Sequence, residues 1–337
     1  MEVLMENLVE QELVSLDNVQ LKVENKIALP ENAKKLIGVS CQLLGQHTTV
    51  AENEITVNGN FAVRLVFVNE FEKYDSQDFS EPFEKKIVVK NVDDINKIFA
   101  TANLVDSQWQ LQDNQVVLAN MVTITVQNVK SHDLQVVSNL TGDVEVRKTE
   151  HQILSFNSVL HDKFEVIENV ELDHSCEGVL GVDVNPNLKD IATVAGKVNL
   201  KGTLVVNILG VKLLDNVSVP YNVIHEIDFS KGFAVNGITA EDLATGVVSV
   251  DAVEMHIENN QKGAVLALKL NLAFNGSIYS NHKFNSVVDA ISFDKELSFK
   301  AMQANCVEVL PQVNSTIDIE SNLNMTPNWP YISHVLA

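Results

Sequence analysis

Apolar side chains occupy alternate positions through residues 58–67, at Phe61, Val63 and Leu65, and again through 201–210, at Leu204, Val206 and Ile208. A period of two puts these side chains on one face of a strand, so both stretches predict β-strands with a buried face. Val205 and Leu209 make the second strand apolar on its other face as well, which predicts a central strand. The phase is kept at one constant offset, which pairs Gly38 with Gly181 and Gly59 with Gly202.

Further blocks recur in order. Residues 80–87 (SEPFEKKI) match 218–227 (SVPYNVIHEI), with Pro82 and Phe83 over Pro220 and Tyr221. Residues 117–129 alternate like 248–260, and 134–146 parallel 266–279 with Gly142 over Gly276. The stretches NVKSHD (128–133) and ENNQKG (258–263) have the composition of hairpin turns. One short helix is predicted in each half. In the first, Asn91 caps a turn carrying Val92, Ile95 and Phe99; in the second, Thr239 and Asp242 form a capping box before Leu243.

Residues 151–178 are neither Gly-rich nor Pro-rich and still alternate at Phe164, Val166 and Val170, so they are predicted to be ordered and extended. The stretch 306–323 repeats a piece of that connection, and such terminal strands invite pairing with another copy of the chain. The expected fold is all-β: two tandem, internally duplicated antiparallel β-sandwich-like domains, each with one short helix. They are expected at 1–150 and 151–305, followed by a C-terminal strand and tail at 306–337; a chain of 337 residues also exceeds the usual size of one core.

Composition narrows the partners. With 45 acidic against 24 basic residues the formal charge is −21, which repels phosphate backbones and anionic lipid surfaces, so neither nucleic acid nor membrane insertion is expected. No run reaches the roughly 18 apolar residues that span a bilayer. The N-terminal stretch 1–16 carries glutamates where a secretory signal carries lysines, which predicts a chain that stays inside or one whose leader has been removed. Arg64 and Arg147 are the only arginines, which argues against a phosphorylated substrate.

Strong chemical motifs are silent, so no catalytic residue, cofactor or metal site is expected. Cys41, Cys176 and Cys306 are odd in number and far apart, which excludes a disulfide framework or zinc knuckle. His174 and Cys176 come nearest to a metal pair, but without a second pair they read as a tethered histidine beside a buried cysteine. Glu254 with His256, and His282 with Phe284, read as ordinary strand positions, and the acidic pairs Asp93/Asp94 and Glu241/Asp242 as helix caps. An enzyme would have to assemble its site from distant residues such as His174, Glu177 and His256. Trp109 reads as a core filler. Trp329, Pro330, Tyr331 and Ile332 lie beyond the last strong alternation and are the candidate partner-binding hook.

The run IALPENAKKLIGVSCQLL (27–44), followed by ENEITVNGNFAVRLVFV (52–68) and FSEPFEKKI (79–87), resembles the SPOCS domain of spore coat assembly proteins of the SipL type. The second half keeps Gly202, Leu204 and Pro220 but lacks the Pro-Glu-x-Ala-Lys-Lys opening, and nothing after Asn324 resembles the family's LysM module. The resemblance implies a non-enzymatic scaffold of the spore coat, on the mother-cell side of the spore envelope of Gram-positive bacteria, with itself and other coat or envelope proteins as partners. Two alternatives stay open: the subunit of an extracellular filament or surface layer polymerising by strand donation, and a cell-surface ligand-binding module.

Overall fold

The computed structural model describes residues 2–51, 54–89, 98–173, 176–260 and 263–292. Nearly all of them are extended. In chain order the strands are β1 (Glu2–Ala28), β2 (Ala33–Ala51), β3 (Glu54–Asn69), β4 (Tyr74–Val88), β5 (Ile98–Gln112), β6 (Gln115–Thr141), β7 (Val144–Glu171), β8 (Cys176–Val194), β9 (Lys197–Leu214), β10 (Val217–Ala234), β11 (Leu243–Asn260) and β12 (Gly263–Ser292). They form four antiparallel three-stranded sheets, ordered β1-β6-β5, β2-β3-β4, β11-β12-β7 and β10-β9-β8.

The sheets bury their alternating apolar faces in pairs, as sandwich packing requires. One core joins Ile55, Phe61, Val63 and Leu65 of β3 to Val116, Leu118, Val122, Ile124 and Val126 of β6. The other joins Leu200, Leu204, Val206 and Ile208 of β9 to Leu266, Leu268, Leu270, Leu272 and Phe274 of β12. Each fully buried side chain of this size stabilises by about 1.5–3 kcal/mol relative to exposure. Apolar on both faces, β9 is indeed central: its inner face fills the core, while Leu209 and Val211 pack outward on Leu180 and on Val66 of β3.

The strand order of β1–β6 returns in β7–β12. Two β-bulges return with it: register shifts at Ala33/Lys35 and Leu36/Gly38 in β2 reappear in β8 at Cys176/Gly178 and Val179/Gly181, the offset that also relates Gly59 to Gly202. Ile27 and Val170, with the same spacing, are both 2 % exposed. Beyond these sandwich cores, β1 packs on β7 and β6 on β12, so each long strand meets the strand holding the same place in the other pair of sheets.

Several expectations change. The Thr239–Asp242 stretch makes capping-type bonds, with the Thr239 N–H donated to Asp242 Oδ2 at 2.7 Å and the Glu241 N–H to Thr239 Oγ1 at 3.2 Å, yet no helix follows. Leu243 opens β11 instead, because pairing with β12 from Leu243↔Tyr279 onward competes successfully with helix initiation. Of the helix expected in the first half, Asn91, Val92 and Ile95 lie outside the described residues, as do Asp93 and Asp94, and Phe99 belongs to β5. The NVKSHD stretch is no turn: β6 runs straight through it, held by β1 from Asn128↔Val14 to Asp133↔Val9. The counterpart of β6 by strand order is therefore β12, not the 248–260 stretch of β11. The Pro82/Pro220 match also dissolves, since Phe83 lies opposite Gly59 while Phe229, not Tyr221, lies opposite Gly202. Trp109 is 43 % exposed on edge strand β5 and fills no core.

Candidate interaction surface

Strand length sets this surface apart. At a rise of about 3.3 Å per residue, strands of 27–30 residues extend roughly 90 Å, far beyond the usual 3–10 residues. Among the described residues β5 accompanies β6 as far as Asn128, and β11 accompanies β12 as far as Tyr279. Past those points two ribbons continue as an arm: β1 with β6 as far as Glu2↔Thr141, and β7 with β12 as far as Val144↔Ser292. A two-stranded ribbon is marginal alone in water, so the two must lean on each other.

The root of the arm is well packed. The Phe156 ring lies 6.0 Å from Phe99 and 5.9 Å from Tyr279, and His151 stacks on Phe284 at 5.2 Å. Ile153, Phe156 and Phe284 are buried here, and the Gln11 backbone N–H of β1 crosses between ribbons to Ser155 Oγ of β7 at 2.7 Å. Toward the tip the cover thins. None of residues 2–8 or 131–150 is buried, and Val3, Leu4, Met5, Val9, Val288 and Ile291 are exposed apolar side chains.

The sandwich closes its own edges by contrast. The outward N–H of Ala102 in β5 is accepted by Gln46 Oε1 at 3.1 Å, and the Ala100 carbonyl accepts from Thr48 Oγ1 at 3.1 Å. On the β12 side, the Asn281 N–H is taken by Asp242 Oδ1 at 3.2 Å just past the end of β11. Among the described residues no strand lies beside β6 on the β5 side after Asn128.

Two further places join the halves. The Arg64 guanidinium grips Asp78 with Nε–Oδ1 at 2.7 Å and Nη2–Oδ2 at 3.2 Å, then reaches across to the Val182 carbonyl at 3.3 Å. It lies flat on Gly181, where a Cβ would sit 2.4 Å from Nη1. Arg64 thus serves as a clasp between sheets. The second place is a small cleft lined by Leu43, Gly45 and Gln46 on one side and His161, Lys163 and Asp251 on the other. Its polar groups satisfy each other: Lys163 Nζ lies 2.6 Å from Asp251 Oδ2, and His161 Nδ1 bonds Asn275 Oδ1.

Trp329, Pro330, Tyr331, Ile332, Cys306 and His174 lie outside the described residues. Cys176 opens β8 beside Tyr221, whose hydroxyl pKa is raised first by burial and then by Cys176, while Lys212 bridges the Tyr221 ring at 5.3 Å and Asp173 at 3.3 Å. Glu177 accepts from the Ser218 hydroxyl on the same sheet, and His256 lies on β11 of the sheet that packs against it. Glu254 pairs with Lys269, and Phe284 is buried in the arm. Cys41 is packed in the first core, where burial pushes its thiol up to about 11. Among the described residues no three His, Cys, Asp or Glu side chains are grouped to hold a metal, and no helix is long and apolar enough to cross a membrane.

Sequence reading missed the arm edge. Its signal was present: residues 134–142, LQVVSNLTG, carry no charge in a chain with 20 % charged residues. Exposed edges are ordinarily blunted by charge or proline. Fold and surface together define an all-β, elongated, strand-edged protein. No family model, no curated protein and no solved structure matches the chain.

Proposed function

We propose that this chain is a non-enzymatic structural protein that self-assembles, and that it arose by tandem duplication of one all-β unit. The observation that carries the proposal is the arm: a projecting pair of ribbons with thin cover, exposed apolar side chains, and a central-strand edge beside which no described strand lies. A long arm of this kind enlarges the reach of the molecule and supplies main-chain donors and acceptors that a neighbour can use. Duplication is supported by the recurring strand order and by the two bulge positions repeated in β2 and β8 at one offset.

In its most specific form the protein is a scaffold of the spore coat or spore envelope on the mother-cell side, with itself and other coat proteins as partners, as the likeness to the SPOCS domain implies. The same arm would serve an extracellular filament or surface layer. A fluorescent fusion expressed from the native locus separates the two. A ring around the forming spore is the expected result; signal on vegetative cell surfaces or appendages would move the assignment to the filament reading. Light scattering over a dilution series tests self-assembly itself: mass rising with concentration is expected, and a constant monomer mass contradicts it.

A further inference from the structure

Beyond its bulge, β5 presents an edge to solvent. Thr48 and Gln46 close that edge at Ala100 and Ala102, after which the register shifts between Leu104 and Asp106. Past the shift no strand lies outside β5 among the described residues, and Gln108, Trp109, Gln110, Leu111 and Gln112 are exposed one after another. Which main-chain groups face outward is fixed from the far end. Asp113 and Asn114, with φ of 46° and 62°, form the two-residue hairpin turn that the hydrogen-bonded pair Gln112↔Gln115 closes. Counting back by alternation, Gln110 and Gln108 bond to β6, while Leu111, Trp109 and Ser107 turn N–H and C=O outward. The outward groups of Ala100 and Ala102 agree once the extra residue of the bulge is allowed for.

Side chains on this edge continue the first core past its margin. Trp109 lies opposite Leu118 and Leu111 opposite Val116, both fully buried, so the two project on the core face yet look out to solvent, 43 % and 50 % exposed. Gln108, Gln110 and Gln112 take the other face, and Asp106 is the single charge in 106–112. The duplicate differs here. Met255 of β11, opposite the core residue Leu268, stands the same distance past its own bulge (Val250/Ala252), but Glu254, His256 and Glu258 replace the glutamines around it. Charge blunts an edge against strand addition, and its absence on β5 leaves the edge usable. The unshifted run from bulge to turn, Asp106 to Gln112, has Trp109 at its midpoint. An antiparallel copy of the same run meets it with Trp109 opposite Trp109, Ser107 opposite Leu111 and Asp106 opposite Gln112. Outward groups then meet outward groups, aromatic meets aromatic, and no like charges face each other. We infer that a second copy of this chain pairs β5 with β5 about a two-fold axis at Trp109, making the sheet β1-β6-β5 continuous through two molecules. The inference rests on the self-assembly reading and adds a closed junction separate from the arm.

Full-length variants test it by light scattering in dilute solution. Wild-type chain is expected at twice the monomer mass. Trp109→Lys sets two like charges face to face across the axis and is expected to halve that mass, with the chain still folded by circular dichroism. Met255→Lys places the same charge at the counterpart in the second half and should leave the mass unchanged. If Trp109→Lys fails to fold, Leu111→Pro replaces it, since proline there removes an outward N–H while sparing the β6 ladder. A cross-link gives an independent reading: Trp109→Cys should oxidise in air to a disulfide between two chains at that position, mapped by peptide mass spectrometry, because the axis sets the residue against itself. Trp109→Lys that assembles like wild type, Met255→Lys that dissociates equally, or chains cross-linked only elsewhere would overturn the β5 junction and leave self-assembly through the arm standing. Wild-type chain that is monomeric at every concentration, with no cross-link forming in Trp109→Cys, defeats the self-assembly reading as well.

Discussion

Gly59 and Gly202 hold the same place in β3 and β9, yet their surroundings differ. A Cβ on Gly202 would lie 2.5 Å from the Asn187 carbonyl oxygen and 2.5 Å from Phe229 Cζ, whereas one on Gly59 would lie 3.2 Å from Leu43 Cδ1 and 3.3 Å from the Leu44 carbonyl. A backbone oxygen at 2.5 Å can be relieved only by shifting the strand. Gly202→Ala is therefore expected to cost about 1–3 kcal/mol in urea unfolding, as overpacking does, and Gly59→Ala clearly less. Equal losses would show that the glycines are kept for some other reason. Cys41 carries a second residue-scale expectation. Burial raises its thiol from 9.0 to about 11, outweighing hydrogen bonds from Ser107 and Asn120 that act the other way. The unfolded chain thus loses this proton first, so the stabilising effect is full below about pH 9 and declines as pH rises toward 11. Urea midpoints of Cys41→Val should fall less steeply than those of wild type across that window, and identical slopes would rule the thiol out as their source.

At the scale of the element, the arm divides into a packed root and a thinly covered tip. Phe156 anchors the root, and Phe156→Ala is expected to cost about 3–5 kcal/mol if the arm unfolds with the body. In hydrogen exchange on dilute protein, amides of residues 131–137 in the thinly covered arm should exchange well before those of Leu204 and Leu268 in the cores. Uniform protection would contradict the division. Much of this layer was legible beforehand. Alternation marked the cores of β3 and β9, and Gly38 and Gly181 marked positions that prove to be bulges. Strand length was not legible, because local pattern says nothing about where a partner ends. NVKSHD looked like a turn since Asn, Ser and Asp favour turns locally, but a ladder to β1 from Glu2 to Ala28 overrides that preference. Trp109 was misplaced for a related reason: hydrophobicity does not say which face of an edge strand looks outward.

The whole molecule behaves as two sandwiches fused along matching strands. β1 lies on β7, β6 lies on β12, and Val66 and Leu209, at the repeat spacing, share a small cluster between the halves. Such like-on-like packing is what a two-fold dimer of a single unit would leave after gene fusion. It uses the matching surfaces inside one chain. With a formal charge of −21, molecules repel at long range, so the proposed self-assembly should strengthen with added salt as the charges are screened. Weakening by salt would point to a junction held by ion pairs. Negative-stain electron microscopy of the purified full-length chain across a concentration series tests the central claim most directly. Repeating polymers or sheets that grow with concentration are the expected result. Discrete particles of monomer size at every concentration would contradict it.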